Sequence, residues 1–433
     1  MLIYSTYNSP RLNYVLQLIF TQHLGITFTL TNDLQYFENA NVPKLAYANT
    51  NNENYLQIIP YPFLELTTVE KQHFDTVLHN NVKCPYATKG VSILPFDVFA
   101  ATFFLITRYE EYLPHKRNKY EQFVAKQSYA YKNDFLKKPQ IDIWVQELKA
   151  IIQNKFPQVQ FLQKKFTTVI TYDIDTAFAY RGRKPIHHIA AFGKDLLTLN
   201  FSNFIQRAKV IFANKKDPYN TYSAIIGYAK HFNYKPILFF LVGKPNKYNK
   251  NIPTNTTTFS TLIAKLANRA VVGIHPSYYA YNNKLLLLQE LENLQQFVPE
   301  PIVNSRQHYL RLSMPSTYEQ LIATNITNDY TMGYAEQPGF RASTCKPYYF
   351  FNLISNEPTK LLLHPITLME GTFAEDLKLT PTKALPIMSQ LLSEVQQVQG
   401  QFVCIWHNHT ISNYGIWKGW EHIHNQIIKL AHT

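Results

Sequence analysis

Cysteine is scarce in this chain of 433 residues: Cys84, Cys345 and Cys404 are the three present, an odd number with no Cys-x-x-Cys spacing. That excludes a disulfide framework and a thiolate zinc site, each of which needs paired or clustered sulfurs. No apolar run approaches the roughly 20 residues needed to span a bilayer, so no hydrophobic span is expected. The opening residues lack the basic, apolar and small-residue zones of a secretory leader; Met1 to Ser5 reads instead as a short strand and Asn8-Ser9-Pro10 as a turn. A cytoplasmic location is the expectation. Acids are also few, 29 Asp and Glu against 42 Lys and Arg, which leaves a formal charge of +13. The excess crowds into Lys116-Arg117, Lys137-Lys138, Arg181-Gly182-Arg183-Lys184 and Lys215-Lys216. Such a surface favours polyanions: nucleic acid, anionic polysaccharide or a lipid headgroup layer. No nucleic-acid motif accompanies these clusters, so solvated loop charges are the simpler reading and an anionic polymer the partner to consider.

Apolar residues make up 46% of the chain, ample for packed cores, and at this length two domains are expected rather than one. Aromatics reach 15%, with 30 Tyr; core packing accounts for most of them, stacking on sugar rings for some. Residues 1–160 read as one smaller α/β unit. Leu2-Ile3-Tyr4 and Ile26 to Thr29 flank a helix with Leu12, Val15, Leu16, Ile19 and Phe20 on one face, and helices follow over 96–112 and 141–153. Residues 154–165 read as a linker. From 166 to 433 short apolar strands alternate with amphipathic helices, the pattern of an α/β architecture with parallel strands. Strands are expected at 168–172, 237–242, 271–274, 308–312, 330–334, 361–363 and 402–406. No internal repeat is evident.

The most informative stretch is Val169-Ile170-Thr171-Tyr172-Asp173-Ile174-Asp175. Side chains alternate along a strand, so Asp173 and Asp175 should leave its end on the same side. Two acids in one pocket imply a cation or donor that compensates them: a metal with a general base, or a salt-bridged or turn-capping pair. Loops at the ends of parallel strands converge. Here the residues after the strands are chemically loaded: His275, Arg311, Arg341, His407 and His409 join the two aspartates.

Those positions, in that order, make the chain from 166 onward resemble the polysaccharide deacetylases, the carbohydrate esterase family 4. Thr171-Tyr172-Asp173-Ile174-Asp175 resembles the motif T-F-D-D-G, Pro236 to Gly243 the second strand A-T-F-F-V-x-G, and Gly273-Ile274-His275-Pro276-Ser277-Tyr278-Tyr279 the motif G-N-H-[ST]-x-x-H. Ser305 to Arg311, with Pro315 beyond it, stands in the place of R-P-P-x, and Val403 to Asn408 in that of the last strand and its acid. Two departures stand out: an extra residue separates the aspartates, and Tyr279 takes the position of the second metal histidine. The N-terminal unit, with Asp97 and Arg108-Tyr109-Glu110-Glu111, resembles an uncharacterised domain found before deacetylase-like domains in Bacteroidetes-type proteins.

The resemblance implies a distorted (β/α) barrel and hydrolysis of a carbon–nitrogen bond, the deacetylation of an N-acetylated sugar in a polysaccharide or glycan precursor. It implies Asp173 as general base, Arg311 as the cation beside it, and His407 as general acid. Asp175 and His275 become ligands of a divalent ion, with zinc the expected one, and His308 or His409 stands available as a replacement nitrogen. Several residues keep a second explanation. Arg306 could pair with Glu292; Arg341 could touch substrate or the base; Trp406, with Trp417 and Trp420, could form a sugar platform or pack in the core; His364 is a second acid candidate. The alternative function is a pseudoenzyme or glycan-binding module, to which Tyr279 points.

Overall fold

The computed structural model describes every residue except 51 and 53. Two sheets organise it. In the first, Leu2–Ser5 (β1), Thr29–Thr31 (β2), Lys44–Tyr47 (β3) and Leu56–Ile58 (β4) run parallel in the order β2-β1-β3-β4. Parallel neighbours need crossovers. The first crossover begins with the helix Pro10–Leu16, started by the Ser9 side chain accepting from Leu12 N–H and by proline in its first turn. Thr76–His79 (β5) and Val82–Pro85 (β6) form a separate antiparallel hairpin. Behind the sheet lies the helix Val98–Ile106, all nine residues of it buried, which is why its sequence is apolar on every face. Burial of each large side chain there contributes roughly 1.5–3 kcal/mol. Asp97 caps it, accepting from Phe99 and Ala100 N–H. The expected single helix over 96–112 breaks at Arg108, whose φ is +55°.

The second sheet holds Thr167–Ile174 (β7), Ile237–Phe240 (β8), Val271–Ile274 (β9), Asn304–Ser305 (β10), Asn328–Asp329 (β11), Tyr348–Asn352 (β12), Glu357–Leu363 (β13), Leu368–Met369 (β14) and Gln401–His407 (β15). Their order is β12-β13-β11-β10-β9-β8-β7-β15-β14, parallel throughout except for the β12–β13 pair. β8 is buried along its whole length and β15 over its central five residues, which accounts for their unbroken apolar runs. The α/β class follows the alternation, and among the described residues the expected barrel is not shown to close. The sheet ends at β12 and β14. Past their last paired residues β11 and β13 stay joined, Ile366 N–H donating to Met332 C=O at 2.9 Å, while no ladder among the described residues joins the edges β12 and β14.

Two expected strands differ. Residues 308–312 form a tight turn, with Tyr309 and Leu310 at φ +61° and +50°, and 330–334 continues irregularly past β11. Between β7 and β8 stands a pair of helices, Pro185–Leu197 and Phe201–Ile211, that the strand–helix alternation did not announce. No helix among the described residues is long and apolar enough to cross a membrane.

Candidate active site

β7 delivers the two aspartates and its neighbours deliver the rest. The register sets His407, the last residue of β15, against Asp173 of β7. On the other side the ladder runs one residue past β9 and β10, with His275 N–H donating to Phe240 C=O and Arg306 N–H to Ile274 C=O. Asp173, Asp175, His275, Arg306 and His407 therefore stand at the same, C-terminal, end of the sheet. Gly273 makes room beneath them: it pairs with Phe239, and a Cβ at Gly273 would lie 2.5 Å from that ring. The Phe239 ring in turn carries the Arg306 guanidinium at 4.4 Å.

Arg306, rather than Arg311, holds the proposed base. Its Nη1 donates to Asp173 Oδ1 at 2.7 Å and its Nε to Tyr330 C=O at 3.0 Å, all of it buried. Arg311 turns the other way. Its guanidinium lies between the rings of Tyr278 and Tyr281, at 3.8 and 3.5 Å, and donates to the carbonyls of Tyr278 and Tyr120. The left-handed turn at Tyr309 and Leu310 sends it there. Arg306 has no pairing with Glu292 either; its carboxylate is Asp173.

Three imidazoles surround Asp175. Its Oδ1 lies 3.1 Å from His275 Nε2, and its Oδ2 lies 3.6 Å from His308 Nε2 and 3.7 Å from His407 Nε2. Burial raises the Asp175 carboxyl, but the His308 and His275 imidazoles beside it outweigh it and hold it well below the carboxylate range. His275 Nδ1 lies 2.6 Å from Arg306 C=O, which can only accept, so Nδ1 carries the proton and Nε2 faces the acids. His275 Nε2 is also 3.8 Å from Asp173 Oδ2, so both aspartates reach the same ring edge. Burial lowers His275, yet Asp173 and Asp175 raise it more. Burial dominates at His308 and lowers it.

The residues fit a divalent cation. Asp175, His275 and His308 each place one ligand atom within 4.8 Å of the others. Asp175 Oδ1 is buried without a well-aligned hydrogen bond, 3.1 Å from a ring nitrogen able to ligate. Tetrahedral ligands about 2.0–2.1 Å from zinc lie about 3.3 Å from each other, so this spacing needs little adjustment. His308 would supply the second nitrogen that Tyr279 cannot; the Tyr279 side chain is exposed instead.

His407 faces this group from the β15 side. Its Nδ1 donates to Glu370 Oε1 at 2.7 Å and its backbone N–H to the same oxygen at 2.8 Å. Burial lowers the imidazole, but buried Glu370 outweighs it and lifts the ring to about 10. Glu370 directly follows β14, a strand too short to read from sequence. His409 lies next to His407, ring centroids 5.2 Å apart, but burial depresses it to about 4. His364 makes its contacts elsewhere, bonded to Gln401, the first residue of β15, and to Asn328, and stacked on Tyr330.

Neither expected substrate contact is available. Arg341 is buried in a two-bond pair with Glu111, 2.9 and 2.5 Å, where the two sheets' units meet. Trp406 is fully buried against His424, because it points from β15 into the core. The aromatic surface near the site is tyrosine instead: Tyr248 stacks on Tyr278 at 3.7 Å, Tyr309 meets both edge-on, and Tyr120 stacks on Tyr309 at 5.0 Å.

A family model described as a family of unknown function, DUF7033, matches residues 1–157. A search of curated proteins finds none that matches. Among solved structures, "Crystal structure of putative polysaccharide deacetylase from Mycobacterium smegmatis" is similar over 61% of this chain and 84% of that chain, with 14% identity and a TM-score of 0.40.

Proposed function

We propose that the chain is a metal-assisted hydrolase of carbon–nitrogen bonds that deacetylates an N-acetylated sugar in a polysaccharide or glycan precursor. The observation that carries this reading is the arrangement at one sheet end. Asp173, held by Arg306, and the three-ligand group Asp175, His275 and His308 lie on one side, and a proton-bearing His407 on the other. A bound divalent ion would polarise the acetyl carbonyl and acidify water.

The chain's own residues do the rest. Asp173 accepts the proton of the attacking water, and Arg306, bonded to its Oδ1, keeps it aimed. His407, charged by Glu370, gives its proton to the departing amine. Half-exposed Tyr248 and Tyr309 with exposed Tyr279 offer faces on which sugar rings can stack. The test is metal content and turnover together. Purified chain should carry about one divalent ion, and a chelator should remove it along with acetate release from N-acetylglucosamine oligomers. Oligomer binding with neither metal nor acetate release would favour the alternative, a glycan-binding module.

A further inference from the structure

The helix pair between β7 and β8 exposes apolar side chains that no fold requires. On Pro185–Leu197, Ile186, Ile189 and Leu197 follow one another at helical spacing, and Ile189 and Leu197 are 67% and 88% exposed. Gly193, between them in that row, opens on empty space. On Phe201–Ile211 the row is Phe201 and Ile205, continued by Phe212 at 78% exposure. Only Asp195 and Val210 of the two helices are buried.

The pair is nonetheless a built element. Phe192 packs on Phe204 at 4.9 Å, and Arg207 bridges to Asp195 at 3.1 Å while lying over Tyr180. Its two ends are tied together at the root, where the buried Asp217 carboxylate accepts from the N–H groups of Ala179, Tyr180 and Arg181. Tyr180 and Asn203 also meet Tyr414, in the loop after His407, so the pair stands at the same sheet end as the candidate site.

Its charge says what covers it. From 181 to 216 eight Lys and Arg stand against Asp195 alone, a net +7 out of the chain's +13. Lys184, Lys194, Lys209, Lys215 and Lys216 are exposed beside the apolar rows. A second copy docked on this face would set +7 against +7. Nucleic acid would leave the leucine and phenylalanine side chains uncovered. An anionic bilayer satisfies both features, apolar rows entering the acyl boundary and lysines meeting the headgroups.

We infer that residues 181–216 dock this protein on an anionic lipid surface, with the candidate site facing the same surface. This does not depend on the hydrolase reading. The test is sedimentation of the full chain with phosphatidylcholine vesicles, with and without phosphatidylglycerol. Binding should require phosphatidylglycerol and weaken as salt rises from 0.1 M to 1 M and the Debye length falls from about 10 to about 3 Å. Joint replacement Ile189→Ser, Leu197→Ser and Phe212→Ser should lower partitioning about tenfold or more. Lys194→Glu and Lys209→Glu should each lower it about fivefold or more. Circular dichroism should be unchanged in all of them, since every replaced side chain is exposed. Absence of vesicle binding, or binding that ignores the serine replacements and follows charge alone, would overturn the inference. So would a dimer in solution that the serine replacements dissolve in the absence of lipid.

Discussion

Asp173 and Asp175 sit two residues apart, yet their partners give them different chemistry. Asp173 is bonded to a guanidinium, and Asp175 is ringed by imidazoles. Asp173→Asn is therefore expected to slow turnover by about 10²–10⁴-fold while metal per chain stays constant. Asp175→Ala, His275→Ala and His308→Ala should lose metal and activity together. Emission spectroscopy of the dialysed variants reads the metal, and its loss from Asp173→Asn would end this division of roles. Glu370 gives a pH prediction. A reaction that needs protonated His407 declines as pH rises through that group's value, lifted to about 10 by Glu370. Glu370→Gln removes the anion, so the alkaline limb of the rate profile should move to lower pH while the acidic limb stays. An unmoved alkaline limb would remove His407 from the acid's role. The aspartates, His275 and His407 were legible because each ends or directly follows an apolar strand. Glu370 was not, for want of a readable β14. Arg306 was passed over for Arg311 because a left-handed turn built from Tyr309 and Leu310 leaves no Gly or Asn to mark it.

That turn depends on an element from the other end of the chain. Residues 117–123 fold back on themselves, Arg117 bridging Phe123, and Asn118 accepts from Tyr120 and Gln122 N–H. Asn118 Nδ2 also fixes the Gln122 side-chain oxygen at 2.6 Å, which turns the Gln122 Nε2 toward Tyr309 C=O. With Arg311 Nε donating to Tyr120 C=O at 2.9 Å, the hairpin clamps the two strained residues that follow His308. Left-handed conformations at such residues cost on the order of 1–3 kcal/mol each, so the turn needs external support. Gln122→Ala gives up two part-buried side-chain hydrogen bonds, about 1 kcal/mol each, and should weaken metal binding about threefold to tenfold through a misplaced His308. Competition with a fluorescent chelator reads this, and kcat at saturating metal should change little. An unaltered metal affinity would show that His308 is held without the hairpin. At this scale the sequence was readable where strands are long and helices amphipathic. Contacts between 118–122 and 308–311 are set by chain path and carry no periodic signal.

At the scale of the whole molecule the two sheets share one continuous apolar core, in which Phe103 and Tyr14 pack on Phe351. The alternation of strands and helices made the α/β class legible, but not whether the sheet closes, because that turns on pairing between its edge strands β12 and β14, which no periodic pattern announces. The charge excess was legible as a number, and its concentration on one helix pair only once the fold set those side chains on a surface. The join between the two units is ionic as well as apolar. Glu111 accepts from Arg108 at 2.8 Å and from Arg341 at 2.9 and 2.5 Å, all three residues buried. Burial raises the Glu111 carboxyl, but Arg341 and then Arg108 outweigh it and hold it at about 2. Its folded value thus lies below its unfolded one, about 4.3, so the stability it contributes is complete above that pH and is lost as pH falls toward 2. The amount is on the order of 3 kcal/mol. Glu111→Gln leaves the buried Arg341 guanidinium facing a neutral partner and Arg108 with Glu110 at 3.4 Å, and should cost about 3–5 kcal/mol at neutral pH. Because the variant no longer has the carboxylate to protonate, its stability should change less than that of the natural chain between pH 5 and pH 2.5. Urea unfolding followed by circular dichroism across that range measures both, and with one shared core the two units should unfold in a single transition. Parallel acid dependence in the two proteins would mean that the Glu111 cluster does not govern how the units hold together.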